Sequence, residues 1–289
     1  MSKYALLVGI NYYNTSNRLY GCINDVIMMR KYLIEKRGYD ANNIIILRDD
    51  SNDFKTPNKK NIIDELNNLI KKANDNNASE IFFHYSGHGT WIRDRNGDEV
   101  DKRDEMICPV DLNMIVDDQL RSIVSNLNNN TNMFIVMDCC HSGTNIDLPY
   151  LYTQKKGQLV VLQNNSSKYR ELINKNIYSI SGCRDDQTSA DAYNVYQVLE
   201  DPDFNFVIKN TNRAGGALTS LLLKVLINNN NFASSLPNLQ KLLSQNKFSQ
   251  VSQLSSTKNL IPPKVNKRKP SKQKVTKKIS IKILSRKTR

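Results

Sequence analysis

Short, continuously apolar runs alternate with segments of helical periodicity along most of this chain. The runs have the length of strands, and their continuous apolar character is typical of strands buried on both faces of a parallel sheet. Between them, apolar residues recur at the spacing of amphipathic helices. This alternation predicts an α/β fold in which helices flank a mostly parallel central sheet. The predicted strands are 4–10, 44–47, 80–85, 133–137 and 178–181, and the predicted helices are 25–36, 61–73, 118–127 and 216–227.

Two of the predicted strands end in residues that can carry out chemistry. The run 133–137 continues into 138–143, which reads DCCHSG, and the run 80–85 continues into 86–89, which reads SGHG. Ligands bind at the carboxyl ends of strands in α/β sheets, so a thiol and an imidazole could meet in one cleft there. A cysteine paired with a histidine is an arrangement for nucleophilic catalysis.

Cys140 is the better nucleophile candidate of the two neighbouring cysteines. Cys139 competes with Cys140 for this role. Side chains alternate along a strand, however, so the two thiols point to opposite sides and only one of them can face the cleft. Backbone N–H groups in the turn after Cys140 could stabilise the oxyanion of an acyl-transfer intermediate. The alternative for either thiol is a buried structural cysteine, which is common in proteins.

His88 is the candidate general acid or base, because the flanking Gly87 and Gly89 leave its ring open to solvent. An ordinary surface-loop histidine is the alternative. His84 lies inside an apolar run, which indicates a core histidine. His84 and His88 share the spacing of helical zinc ligands, but the Ser-Gly between them argues against a helix and therefore against zinc.

A dense acidic stretch follows His88, with nine Asp or Glu residues between positions 94 and 118. Carboxylate oxygens at this density suit calcium. The stretch lacks the 12-residue pattern of an EF-hand, however. Composition alone therefore favours a solvated acidic loop.

The net charge of +13 is concentrated at one end of the chain. Residues 204–289 carry 18 basic residues and no acidic residue, whereas residues 1–203 carry 23 basic and all 28 acidic residues. The basic, Pro-containing tail 261–289 is expected to be disordered. It suggests an anionic partner, although a merely solvated tail is the alternative. The tail lacks the aromatic residues that stack on single-stranded nucleic acids.

Other features of the sequence concern its compartment. No apolar run approaches the roughly 18 residues of a membrane span, and no secretion signal is recognisable. The five cysteines show no disulfide framework, so we expect reduced thiols and no membrane partner. A cytoplasmic location is expected, with the basic tail raising the nucleus as an alternative.

Together these motifs resemble those of metacaspases, which are calcium-dependent cysteine peptidases of the caspase-like clan. The resemblance is to the type I arrangement, because the span between Cys140 and the 181–190 motif is short. The chain is expected to depart from many type I relatives in lacking an N-terminal Pro-rich prodomain, since it begins at the first predicted strand. The matching stretches are 85–89 (YSGHG), 104–111 (DEMICPVD), 115–118 (IVDD), 138–143 (DCCHSG), 181–190 (SGCRDDQTSA) and 216–219 (GALT).

The resemblance implies a caspase-like three-layer sandwich. Residues 1–150 would form the part that corresponds to a large subunit, and 151–176 a polar connecting segment. Residues 177–260 would form the part of the same domain that corresponds to a small subunit. The tail 261–289 has no counterpart in the family.

The resemblance also assigns roles to residues. Cys140 would be the nucleophile and His88 its partner, with cleavage after Arg or Lys, and the N–H groups of Gly89 and Cys140 would hold the oxyanion. Two carboxylates near the thiol would attract a basic side chain, and Arg can be held by two hydrogen bonds. The pocket for that side chain would comprise Cys22, Asp25, Ser86 and Asp138. The calcium ligands would be Asp104, Asp117, Asp118 and Asp147.

Further expectations concern processing and partners. Substrates would be proteins or peptides containing Arg or Lys, and the protein is expected to be a monomer. The sequence identifies no residue that orients His88. Self-cleavage is expected at Lys155, Lys156, Lys168, Arg170 or Lys175. The rival function is a non-catalytic caspase-like regulatory or binding module with a nucleic-acid- or anion-binding tail; it predicts loss of Cys140 or His88, and both are present.

Overall fold

A computed structural model describes residues 1–93, 103–139, 146, 148–155, 158–163, 167–172, 174–182, 191–193, 214–228, 231–232, 234–246, 248 and 251–260. These residues form five α-helices and thirteen strands. The helices are α1 (Cys22–Arg37), α2 (Lys59–Asp75), α3 (Asp117–Val124), α4 (Ala217–Asn228) and α5 (Leu236–Gln245). The strands are β1 (Lys3–Gly9), β2 (Ile44–Arg48), β3 (Glu80–Ser86), β4 (Gly89–Arg93), β5 (Arg103–Ile107), β6 (Ile115–Val116), β7 (Asn132–Asp138), β8 (Tyr150–Lys155), β9 (Gln158–Gln163), β10 (Asn176–Ser181), β11 (Asp191–Tyr193), β12 (Ala214–Gly216) and β13 (Gln253–Ser256).

Eight strands form the central sheet, in the order β2-β1-β3-β7-β10-β13-β8-β9. The first five of them are mutually parallel, and the last three join by antiparallel pairing. The parallel strands β1, β3 and β7 are adjacent, so their carboxyl ends meet at one edge. The predicted α/β architecture with a mostly parallel sheet is confirmed.

Side-chain alternation along β1 divides the interior into two cores. Leu6 and Val8 belong to one apolar cluster with α2 and α3, whereas Ala5 and Leu7 belong to the other with α1, α4 and α5. Strands buried on both faces carry apolar residues continuously, which explains the sequence pattern. Helices thus cover both faces of the sheet, and the predicted three-layer arrangement is confirmed.

The predicted helices form, with some differences at their ends. The first starts earlier than predicted, at Cys22, and Gly38 follows it in the left-handed conformation (φ 69°) that commonly ends a helix. The third ends at Val124 rather than at residue 127. The residues 125–127 instead make single-turn hydrogen bonds that continue the chain towards β7.

The segment predicted to be a polar connection, 151–176, contains strands. β8 and β9 pair as an antiparallel hairpin at the edge of the sheet, and β13 joins β8 to the parallel part. The sequence pattern did not indicate these strands because they mix polar and apolar residues, and a strand at the edge of a sheet needs only one apolar face. The proposed division into two subunit-like parts stays a prediction, and the basic tail lies outside the described residues.

A second, three-stranded sheet adjoins the site edge of the central sheet. It is built from β4, β5 and β6 in antiparallel pairing, and β4 starts directly after His88. α3 follows β6 without a break, so part of the acidic stretch lies on ordered elements. Among the described residues, no helix has both the length and the apolar character needed to cross a lipid bilayer.

Candidate active site

His88 lies between the end of β3 and the start of β4, at the edge where the parallel strands end. Its ring Nε2 lies 2.6 Å from the carbonyl oxygen of Asn17. A carbonyl oxygen can only accept a hydrogen bond, so Nε2 carries a proton, and Nδ1 is the nitrogen left to exchange protons with other groups. The Asn17 carbonyl therefore defines the tautomer of His88.

The Asn17 carbonyl is a functional group that the sequence analysis missed. No side-chain pattern could have revealed it, because every residue carries a carbonyl oxygen. Only the path of residues 11–20, which connects β1 to α1, brings this one to the histidine ring. The structure thus supplies the orienting partner for which the sequence gives no candidate.

The chain leaves β7 beside His88. Ser86 and Asp138 are register partners at the ends of β3 and β7, and the N–H of Gly87 donates to the carbonyl of Asp138 at 3.3 Å. Cys139 follows, with a fully buried thiol inside an apolar cluster. Because its thiol packs within this apolar cluster, Cys139 is a packing residue. Cys140 lies outside the described residues.

Two carboxylates predicted to bind a basic side chain are buried at this edge. Asp25, in the first turn of α1, is fully buried, and Asp138 is 4% exposed. The hydroxyl of Ser86 donates to Asp25 Oδ2 at 2.7 Å. The N–H of Gly216 donates to both oxygens of Asp25, at 2.9 and 3.0 Å. Asp138 Oδ2 accepts from the N–H and the hydroxyl of Thr219, at 2.9 and 2.8 Å.

The two carboxylates approach one another across Gly216. A Cβ atom added to Gly216 would lie 2.0 Å from Asp138 Oδ2 and 2.7 Å from Asp25 Oδ2. No side chain fits in that space, so glycine is required at this position. The sequence motif 216–219 contributes to the acidic pair through the backbone of Gly216 and through Thr219, a contribution that the sequence analysis did not assign.

Cys22, the remaining predicted pocket residue, starts α1 one turn before Asp25. Its thiol is buried and reduced, and its N–H donates to Asn11 Oδ1 at 3.1 Å. Residues three apart on a helix lie on the same face, so Cys22 and Asp25 are neighbours. The structure therefore brings Asp25, Ser86 and Asp138 together with Cys22 adjacent to them.

His84 is a core residue, as its position in an apolar run predicts. It is fully buried on β3, and its Nε2 lies 3.2 Å from the hydroxyl of Thr219. Burial lowers the pKa of His84 to about 3, so the ring is neutral in solution near neutrality. His84 shares Thr219 with Asp138, which links the core histidine to the acidic pair.

The predicted calcium ligands are only partly gathered by the described residues. Asp117 is buried at the start of α3, where it accepts from the N–H of Glu105 at 3.3 Å and of Asp118 at 2.6 Å. Asp118 forms an ion pair with Arg121. Asp104 lies on β5, next to Glu105. Asp147 lies outside the described residues, as do the acidic residues between positions 94 and 101.

A group of three His, Cys, Asp or Glu side chains placed to hold one metal ion does not occur within the described part of the chain. The donor chemistry fits a hard cation, because all four predicted ligands are carboxylates. The geometry of Asp104, Asp117 and Asp118 by itself does not form such a site. Of the predicted oxyanion pair, Gly89 is the first residue of β4 and Cys140 is not described.

Comparison with known proteins identifies the family of this chain. The family profile described as the metacaspase, peptidase C14 domain matches residues 3–149. Metacaspase-1 of Scheffersomyces stipitis is 35% identical, over 88% of this chain and 70% of its own length. Metacaspase-1 of Meyerozyma guilliermondii is 36% identical, over 88% and 69%. Metacaspase-3 of Trypanosoma brucei brucei is 37% identical, over 88% and 71%.

A solved structure supports the fold alone. Protein GSU0716 from Geobacter sulfurreducens superposes with a TM-score of 0.53 at 21% identity, covering 84% of this chain and 89% of that one. The family match spans His88, Asp138, Cys139 and Cys140 in the sequence, and the curated relatives align across most of both chains. The chain belongs to the metacaspase family of cysteine peptidases.

Proposed function

We propose that this protein is a calcium-dependent cysteine endopeptidase that cleaves after Arg or Lys and processes itself. Cys140 is the proposed nucleophile and His88 its proton-transfer partner. The observation that carries the specificity is the burial of Asp25 and Asp138 on either side of Gly216, at the sheet edge that carries His88.

The acidic pair supports recognition of a cationic side chain. Two carboxylates that are close together and buried repel one another, and a cation between or beside them relieves that repulsion. Arg and Lys are the substrate side chains that carry such a charge, and Arg can also donate two parallel hydrogen bonds to a carboxylate. Ser86 and Gly216 hold Asp25 in place, and Thr219 holds Asp138.

In the first half of the proposed reaction, His88 Nδ1 takes the thiol proton of Cys140, and the resulting thiolate attacks the carbonyl carbon that follows the bound basic residue. A carbon–sulfur bond forms, and N–H groups of Gly89 and Cys140 stabilise the oxyanion. The carbon–nitrogen bond then breaks as His88 gives a proton to the leaving amine. With Nε2–H directed at Asn17, the proton that His88 gives up is the one on Nδ1.

In the second half, water attacks the thioester carbon and His88 Nδ1 takes a proton from it. The carbon–sulfur bond breaks, which releases the carboxylic acid and regenerates the thiolate. The Asn17 carbonyl stabilises the doubly protonated ring that is present before the amine leaves and forms again when water attacks, because it accepts from Nε2–H throughout. The catalytic steps use no metal ion.

Calcium is proposed as a regulator, and its support is chemical. Asp104 lies on β5, in the small sheet that begins next to His88. Asp117 and Asp118 start α3, which follows β6 of the same sheet. Carboxylate oxygens are the ligands that Ca²⁺ prefers. Because Asp118 is paired with Arg121, binding by this group requires that pair to separate.

The test uses fluorogenic peptides that differ only in the residue before the scissile bond: Arg, Lys, Asp or citrulline, which has the shape of Arg without its charge. Each is assayed with calcium and with chelator, on the wild type, Cys140→Ala and His88→Ala. With calcium, we expect the wild type to cleave the Arg and Lys peptides, the citrulline peptide far more slowly and the Asp peptide not at all, and we expect both variants to be inactive. Cleavage by Cys140→Ala contradicts the assignment of the nucleophile, and an inert wild type supports the rival binding module.

A further inference from the structure

Tyr12 occupies an unusual backbone conformation beside His88. Its φ of 52° lies in the left-handed region, which bulky residues rarely adopt, and its side chain is 2% exposed. Such strain persists only where surrounding contacts impose it, and it concentrates at functional sites.

The carboxylate of Asp49 holds this conformation from both sides. Asp49 follows β2, and its two oxygens accept from the N–H of Asn11 at 2.9 Å and of Tyr13 at 3.3 Å. These are the residues immediately before and after Tyr12. The carboxylate therefore brackets the strained residue and directs its side chain inward.

The Tyr12 hydroxyl binds the backbone of His88 directly. The His88 N–H donates to it at 2.8 Å, and the hydroxyl donates its own proton to the carbonyl of Cys108 at 2.6 Å. The Tyr85 hydroxyl donates to the carbonyl of His88 at 2.8 Å. Both polar groups of the His88 backbone are thus held by tyrosine hydroxyls, which lie 3.2 Å apart.

The two tyrosines also contact the His88 ring and the turn that precedes it. The Tyr12 ring packs against the His88 ring, with centroids 4.6 Å apart. A Cβ atom on Gly87 would come within 2.7 Å of the Tyr85 hydroxyl and 3.0 Å of the Tyr12 hydroxyl, so the tyrosines shape the turn that presents the histidine. Burial raises the pKa of Tyr12 well above its ordinary value, which keeps the hydroxyl protonated as a donor.

We propose that Tyr12 is a positioning residue for His88, fixing its backbone through the hydroxyl and its ring plane by packing, with Tyr85 completing the clamp. The segment between β1 and α1 then holds three parts of the histidine: the N–H and the ring face through Tyr12, and Nε2 through Asn17. This inference rests on the proposed role of His88 in proton transfer.

The test compares Tyr12→Phe and Tyr85→Phe with Tyr13→Phe, using the full chain and the Arg peptide. Tyr13 is the matched control, because it lies in the same segment. Within the described part of the chain, its hydroxyl forms a hydrogen bond only with the side chain of Asn11. We expect kcat to fall about 10- to 100-fold in Tyr12→Phe, with KM within about twofold, because the histidine loosens while the acidic pair is untouched. The kcat of Tyr85→Phe should also fall, and the kcat of Tyr13→Phe should stay within about twofold of the wild-type value.

A wild-type kcat in Tyr12→Phe, or an equal loss in Tyr13→Phe, overturns the proposal. If Tyr12→Phe does not fold, as judged by its thermal transition, Tyr85→Phe decides by the same criterion. The pH profile of kcat/KM should also shift in Tyr12→Phe and not in Tyr13→Phe, which a merely structural role would not produce.

A second readout separates this inference from the proposed function. The chain has three histidines, so nitrogen-15 spectra of the imidazole rings are simple to assign. We expect the His88 signals of Tyr12→Phe to move away from the Nε2–H tautomer while the signals of buried His84 stay unchanged. Equal changes at His84 indicate general loosening and overturn the proposal. An inert wild type refutes the peptidase assignment, yet these spectra still test the clamp.

Discussion

Asp25 and Asp138 approach the same backbone position from different elements, α1 and the end of β7. A Cβ atom on Gly216 would lie 2.7 Å from an oxygen of the first and 2.0 Å from an oxygen of the second. Both are buried, and each accepts hydrogen bonds from neutral donors of the 216–219 segment. This pair is the structural basis for the proposed preference for basic residues.

Neutralising either carboxylate should weaken recognition of Arg. We expect Asp25→Asn and Asp138→Asn to lower kcat/KM for the Arg peptide by about 30-fold or more, which corresponds to the lower limit of about 2 kcal/mol for losing one member of a buried charge pair. The loss for the citrulline peptide should be much smaller. Asp64→Asn is the matched control, since Asp64 is an exposed acid on α2. Equal losses on both peptides would argue against charge recognition.

Gly216 should not tolerate even a methyl group. Gly216→Ala brings a Cβ into the space between the two carboxylates, so we expect the Arg peptidase activity to fall below detection or folding to fail. Gly215→Ala is the control, because its Cβ would meet its nearest atom, Ser220 Oγ, at 3.2 Å. Activity and thermal unfolding should be measured together. Full activity in Gly216→Ala would show that the acidic pair is not where the structure has it.

Arg121 should compete with calcium for Asp118. The two side chains form an ion pair that is only partly exposed. We expect Arg121→Gln to lower the calcium concentration that gives half-maximal activity by about threefold or more, because the variant removes a competing cation. Lys60→Gln, which breaks an exposed pair with Asp64, is the control. An unchanged or higher calcium requirement would contradict binding at Asp118.

Self-cleavage should favour the connection between β8 and β9. β8 ends at Lys155 and β9 begins at Gln158, and connections between hairpin strands are preferred sites of proteolysis. Lys175, in contrast, donates from Nζ to the carbonyl of Leu127. We therefore expect Lys155→Gln combined with Lys156→Gln to suppress self-cleavage and Lys175→Gln to leave it unchanged. Mass spectrometry of the incubated proteins identifies the sites, and fragments ending at Lys175 would contradict this prediction.

Stability should fall in acid partly through His84. Burial lowers the pKa of His84 to about 3, whereas the unfolded chain binds the same proton near its ordinary value of about 6.5. The contribution of neutral His84 to the free energy of unfolding is therefore complete above about pH 6.5. It is lost as pH falls towards 3, by roughly 1.4 kcal/mol per pH unit. Urea unfolding of the wild type and His84→Asn measures it. We expect the free-energy difference between them to shrink by about 2 to 3 kcal/mol between about pH 6.5 and 4.5, and parallel curves would contradict this.

Periodicity was sufficient to predict the centre of the fold. Four apolar runs and the mixed segment 178–181 (YSIS) became the five parallel strands, because strands covered on both faces are rich in apolar residues. β8, β9 and β13 escaped prediction, since edge and antiparallel strands mix polar and apolar residues and look like connecting segments. Their place in the sheet depends on pairing between residues that are distant in the chain.

The sequence by itself determined the candidate thiol and imidazole, the acidic residues and the family resemblance, because side-chain identity carries that information. Tertiary structure decided which groups meet: that the Asn17 carbonyl holds the His88 ring, that Tyr12 clamps its backbone, and that Gly216 separates two buried carboxylates. Every residue carries a backbone carbonyl, and every residue except proline carries a backbone N–H, so neither group is distinguished by the sequence. Their roles arise only when the folded chain places them within hydrogen-bonding distance of a partner.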